Sequence, residues 1–108
     1  MKRGDLFIGS EKGRLTGKPR PWLVIQSNIF NDDHATFTVL MVSSVSTGFS
    51  MFRIPVEPNS INGLMEPSEV QADKIATFTR PSVSKTIGQL DALTMEEVDK
   101  ALRRWLDL

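Results

Sequence analysis

The chain has 108 residues, with 13 Lys and Arg against 13 Asp and Glu, one His and no Cys. Without Cys there is no disulfide framework, thiolate zinc site, iron–sulfur cluster or cysteine nucleophile, and the lone His34 leaves little for a transition-metal site or a two-histidine mechanism. A single domain over 1–108 is expected at this length, and with no apolar run near the ~18 residues of a membrane span and no signal-peptide core, a cytoplasmic protein is expected.

Asp5-Leu6-Phe7-Ile8, after Gly4, reads as a buried strand, and Trp22-Leu23-Val24-Ile25, opened by Pro21, as a second. Between them, the glycines and cations of residues 9–18 predict a mobile basic loop. Asn31-Asp32-Asp33 reads as a turn, with His34 on the surface behind it. Thr36 to Val42 is β-branched and aromatic, and Phe49 to Val56 alternates enough about Phe52-Arg53 to pair with it, joined through Ser43 to Gly48. Pro58 to Gly63 is dense in breakers, and its Asn62-Gly63 pair favours positive φ.

Glu69 to Ile75 alternates as a strand with one wet face, and Val83 to Leu90 forms another short strand. The period then changes. Thr94 and Glu97 match a T-x-x-E capping box, and Val98, Ala101, Leu102 and Trp105 recur at i, i+3, i+4 and i+7. This predicts an amphipathic helix of about three turns with Trp105 on its apolar stripe. Strands followed by one helix favour a mainly β fold, an antiparallel barrel or half-barrel, over a βαβ arrangement.

The zero net charge conceals segregation. Residues 1–20 hold Lys2, Arg3, Lys12, Arg14, Lys18 and Arg20 against Asp5 and Glu11, and Arg80 and Lys85 add two cations in a stretch without acids. Residues 21–79 carry the opposite sign. A basic groove that binds a polyanion with counterion release is therefore compatible with a neutral total, although short cationic stretches are also common on solvated surfaces.

Three stretches in order, Arg3-Gly4-Asp5-Leu6-Phe7, Gly17-Lys18-Pro19-Arg20-Pro21-Trp22-Leu23-Val24-Ile25 and Gly63-Leu64-Met65-Glu66-Pro67-Ser68-Glu69-Val70-Gln71-Ala72-Asp73-Lys74-Ile75, resemble the MazF/PemK (Kid) family of toxin endoribonucleases. The resemblance implies an SH3-like, partly open barrel that forms a homodimer, with single-stranded RNA in a groove at the dimer interface and a cognate antitoxin that competes for it. It implies sequence-selective cleavage without metal or other cofactor, in which the ribose 2′-OH attacks the adjacent phosphate and leaves a 2′,3′-cyclic phosphate and a 5′-OH.

On that resemblance, Arg20 matches the catalytic arginine, and a guanidinium can donate two parallel hydrogen bonds to a phosphate. Ser43 falls where the family has a hydroxyl, suited to positioning rather than proton abstraction. Asp73 matches a carboxylate with an acid–base role in the PemK branch; taken alone it reads equally well as a wet-face carboxylate paired with a cation. Lys12, Arg14, Lys18, Ser44, Gln71, Arg80 and Lys85 are the expected RNA contacts. Gln71 stands where the PemK branch has Arg, Lys74 where the family has Gln, and the loop lacks the branch's His, leaving Glu11 as the other candidate base. The alternative is a CcdB-like toxin, which shares the fold, ends in a helix with a Trp as Trp105 does here, and poisons DNA gyrase by protein contact. The Arg20-Pro21 and Gly63 to Asp73 motifs favour the nuclease.

Overall fold

The structure, a computed structural model, describes residues 1–10, 18–44 and 50–108. Lys12, Arg14, Glu11 and the predicted start of a strand at Phe49 lie outside the described residues. Strands β1 (Asp5–Gly9), β2 (Arg20–Val24), β3 (Thr36–Ser43), β4 (Arg53–Val56), β5 (Ser68–Thr79) and β6 (Val83–Gln89) form one sheet in the order β4-β5-β3-β2-β1-β6. All pairings are antiparallel. A four-residue helix α1 (Asn28–Asn31) joins β2 to β3, and α2 (Ala92–Leu106) follows β6. Among the described residues no helix is long and apolar enough to cross a membrane.

The sheet is strongly curled. Strands β1 and β5 are three places apart, which in a flat sheet would separate them by roughly 14 Å, yet Phe7 and Phe78 meet edge to face with centroids 5.4 Å apart, and Trp22 meets Phe78 at 4.6 Å. These rings, with Val24, Phe37, Val39 and Ala76, form a core on the concave face. The edge strands β4 and β6 are not paired to each other, so the barrel is partly open, as expected.

The opposite face presents Leu6, Leu23, Leu40, Val42 and Val70, and α2 covers it with Val98, Ala101 and Leu102. Arg3 ties the two layers, with Nη2 2.7 Å from Asp99 Oδ1 and Nε donating to Ile25 O at 2.9 Å. Thus one of the N-terminal basic residues serves the fold.

Four local features differ from the sequence expectation. The cap of α2 is Asp91, whose Oδ1 accepts from Thr94 N at 2.7 Å, so Thr94 lies inside the first turn and the helix runs four turns. Trp105 is 48% exposed and stacks on Phe52 at 5.0 Å instead of entering the core. Strand β4 is shorter than 49–56, because Arg53 N–H returns to Ser50 O at 3.2 Å and makes a turn of residues 50–53. Finally, β5 extends to Thr79 and carries an irregularity: Leu40 pairs with Ile75 but Met41 with Gln71, leaving Ala72, Asp73 and Lys74 without a rung on β3.

The segment 57–64 is pinned by two asparagines. Asn59 Oδ1 accepts from the N–H groups of Ile61 and Asn62, both at 2.8 Å, and buried Asn62 accepts from Leu64 N at 3.0 Å while donating to Glu57 O at 2.9 Å. Gly63 then takes φ +69° against β6, where a Cβ would stand 2.1 Å from Ile87 O.

Gly63→Ala combines a left-handed backbone with this backbone clash, and a loss of about 2 kcal/mol or more is expected in urea unfolding. The Thr94 backbone N–H holds the Asp91 carboxyl below its ordinary value. A depressed carboxylate stabilises above its unfolded pKa of about 3.9 and loses that contribution as pH falls through the folded value. Asp91→Ala should therefore lower the thermal midpoint at neutral pH, and the difference from wild type should shrink below about pH 4.

Candidate functional site

At the end of the sheet where β1 ends, β2 starts and β3 ends, α2 does not reach, and a cleft of about 640 Å³ opens. This is within the size range of about 300–1,000 Å³ usual for ligand pockets. One wall is the pinned segment with Gly63, Leu64, Met65 and Glu66; the other includes Lys18, Arg20, Ser43, Ser44 and Lys85. Three cations thus face one carboxylate, which favours an anionic ligand.

The strand ladder explains the gathering. Gly9 pairs with Arg20 and Ile8 with both Pro21 and Lys85, so the ends of three strands bring together cations that are 67 positions apart in sequence at most. Pro21 needs no ladder N–H at the strand start and fixes the approach of Arg20. Arg20 is half-buried, and its Nη1 lies 3.0 Å from Met41 Sδ on the neighbouring strand. Ser43 ends β3, and exposed Ser44 follows it.

Other expected site residues lie elsewhere. Arg80 sits 4.6 Å above the Phe37 ring and donates to the carbonyls of Asn31 and His34, the latter at 2.9 Å, so it clamps the segment before β3 and does not line the cleft. His34 is exposed, with Nδ1 3.1 Å from Thr36 Oγ1. Asp73 and Gln71 do not line the cleft either.

They belong to a polar row on β5 that sequence alternation assigned to a wet face and that the fold covers. Glu69, Gln71 and Arg53 share it: Arg53 Nη2 is 3.0 Å from Asp73 Oδ2, Arg53 Nη1 is 3.4 Å from Glu69 Oε1, and Gln71 Nε2 donates to that same oxygen at 3.2 Å. The Glu69 and Asp73 side chains are 6% and 9% exposed. The hydrogen bond to Asp73 raises the Arg53 pKa above its ordinary value against an opposing effect of burial, so the guanidinium stays charged between the two carboxylates. Asp73 Oδ1 is buried and accepts no hydrogen bond from the described residues.

Sequence reasoning missed Arg53 and Glu69. The available signal was an arginine inside an apolar segment, facing a same-face series of Glu69, Gln71 and Asp73.

A family model described as a PemK-like, MazF-like toxin of type II toxin–antitoxin systems matches residues 2–106. The chain belongs to that family. The toxin is 36% identical over 108 residues to a probable endoribonuclease MazF of Mycolicibacterium smegmatis, covering 100% of this chain and 98% of that protein. It is 31% identical over 112 residues to endoribonuclease MazF6 of Mycobacterium tuberculosis, covering 100% of this chain and 98% of the relative. In fold it is similar to Mycobacterium tuberculosis toxin MazF-mt6, with a TM-score of 0.82 at 24% identity over 96% of this chain and 97% of that one. It is similar also to a MazE–MazF crystal structure from Deinococcus radiodurans, with a TM-score of 0.81 at 21% identity over 100% and 97%. These likenesses favour the MazF-type reading over the CcdB-like one, and the exposed Trp105 of the toxin is accounted for by its stacking on Phe52.

Removing one partner of a buried charge cluster leaves the others uncompensated. Arg53→Ala is expected to destabilise the toxin by about 3 kcal/mol in urea unfolding, more than a surface Lys100→Ala measured alongside it.

Proposed function

We propose that this toxin is a sequence-selective, metal-independent endoribonuclease that cleaves single-stranded RNA and is neutralised by a cognate antitoxin. The observation that carries this reading is the meeting of Arg20 and Ser43 with Lys18 and Lys85 in one cleft. The names of the two curated relatives support it.

Lys18 and Lys85 hold backbone phosphates, and Ser44 adds a hydroxyl at the rim. Ser43 positions the reacting ribose and phosphate. The 2′ oxygen attacks phosphorus as its proton passes to solvent water, the P–O5′ bond breaks, and the 5′ oxygen takes up a proton from water, leaving a 2′,3′-cyclic phosphate and a 5′-OH. Negative charge grows on the non-bridging oxygens along this path, and a preplaced guanidinium at Arg20 stabilises it more than the ground state. Asp73, closed in against Arg53, serves in this reading as part of the support of the cleft rather than as the acid or base.

The working form is a homodimer in the cytoplasm, each copy a single domain, and the cleft joins its partner's to form the longer groove a strand of RNA requires. An antitoxin segment with acidic and apolar side chains would compete for the same cations, a coupled folding and binding event. Solved structures similar in fold include an endoribonuclease from a mycobacterial species in complex with its cognate antitoxin, with a TM-score of 0.83, which supports such a pairing.

The test is incubation of the purified protein with long single-stranded RNA in EDTA, followed by end-group analysis. Discrete fragments with cyclic phosphate ends are expected, and Arg20→Ala should slow their formation about 100–1000-fold. Intact RNA would overturn the reading. Binding to uncleavable RNA should weaken with salt, and Lys18→Ala or Lys85→Ala should each reduce the slope of log K against log[salt] by about 0.7.

A further inference from the structure

The polar row on β5 lies directly behind the cleft. Two successive same-face rungs cross the sheet. In one, Ser43 of β3 stands opposite Glu69 of β5, which stands opposite Pro55 of β4; in the other, Met41 stands opposite Gln71, which stands opposite Arg53. Opposed residues hold their Cβ atoms about 4.5–5.5 Å apart on one face. Both cleft groups that the reaction uses therefore neighbour this row: Ser43 as the register partner of Glu69, and Arg20 at one remove, through its 3.0 Å contact with Met41, the register partner of Gln71.

A carboxylate as buried as Glu69 is costly, and replacing a buried ion pair by apolar side chains of similar size is often neutral or stabilising. Stability alone gives no reason to keep Glu69, Arg53 and Asp73 in so largely covered a place. Their position gives one. Glu69 is held from two sides, by Arg53 Nη1 at 3.4 Å and Gln71 Nε2 at 3.2 Å, and Arg53 is itself anchored by Asp73 at 3.0 Å.

We propose that Glu69, braced by Arg53 and Gln71, is a positioning residue for the reaction, fixing Ser43 at the edge of the cleft. It acts as a buried carboxylate behind a reacting side chain does elsewhere: it orients the group and does not itself take the proton. The inference deepens the nuclease reading and rests on it. It also accounts for Gln71, which serves here as a brace on Glu69 rather than as an RNA contact.

The experiment is a double-mutant cycle on the cleavage rate, with wild type, Glu69→Gln, Ser43→Ala and the double variant. Thermal unfolding and binding to RNA carrying a 2′-deoxy substitution at the cleaved position are measured in parallel. A misplacement near 1 Å costs about 100-fold, so Glu69→Gln should lower kcat by about that factor with KM and binding to the deoxy RNA within about twofold of wild type. In the Ser43→Ala background the same change should cost less than about threefold, because the group it acts through is gone. Arg53→Lys, which keeps the charge but cannot fork between two carboxylates, serves as the second variant if Glu69→Gln does not fold and should show the same coupling to Ser43→Ala. If wild type cleaves while Glu69→Gln is fully active, or if its effect multiplies with that of Ser43→Ala, positioning through Ser43 is wrong and the nuclease reading stands. If wild type leaves RNA intact, both fall.

Discussion

The pairing of β3 with β5 is the constraint on which the site depends. Over Phe37–Phe78 and Val39–Ala76 the concave face is apolar and part of the aromatic core. The register then slips by three residues, and the next rungs on that face are Met41–Gln71 and Ser43–Glu69. A sheet that kept its register would carry the alternation of β5 through in step with β3. The slip instead gives Ala72 to the helix-side core and brings Asp73 within reach of Arg53 on β4. One face of one ladder thereby changes from oil to charge within two rungs, and the cleft begins where it does so.

Six of the described cations fall into two groups. Arg3 bonds Asp99 and the Ile25 carbonyl, Arg53 bridges two carboxylates, and Arg80 stacks on Phe37 while holding two carbonyls. These arginines act as multidentate clamps, a use that suits a planar fork with several donors. Lys18, Arg20 and Lys85 remain at the cleft, with Glu66 facing them. A chain with equal numbers of both charges can therefore present a cationic cleft, because Asp99, Glu69 and Asp73 are engaged in internal clamps and Glu66 is the one acid among the described residues lining it. Salt dependence and steering follow from the residual local field rather than from the total.

Much of this was legible in the residues. Strands at Asp5, Trp22, Thr36 and Val83, the positive φ of Gly63 and the terminal helix follow from local chemistry, and Arg20 and Ser43 sit at strand ends where a cleft can use them. What escaped was tertiary. Alternation along Glu69, Gln71 and Asp73 marks a polar face, but whether that face is wet depends on curvature, and only the contact of Phe7 with Phe78 across two intervening strands shows how far the sheet curls. Thr94 has the pattern of a cap, but Asp91, about one turn earlier, offers a charged and stronger acceptor and takes that place. Arg80 belonged to a basic stretch by sequence, yet its aromatic neighbour Phe37 lies 43 positions away and no local pattern reveals it.

The segment Gly63 to Ile75 is where these threads join, and its order in the chain matches its distance from the chemistry. Gly63 and Leu64 build the cleft wall against β6, held by the Asn59 and Asn62 turns. Ser68, at the start of β5, still lines the cleft. Glu69 and Gln71 stand one layer behind it, and Asp73, inside the register slip, holds the arginine that pairs with Glu69. In the mechanism proposed above, a motif that resembles a set of catalytic groups serves as a wall, a brace and an anchor for two residues supplied by other strands. The carboxylate nearest the cleft behind its wall, Glu69, then bears on the reaction through Ser43, its register partner, and not through the cations that bind the strand.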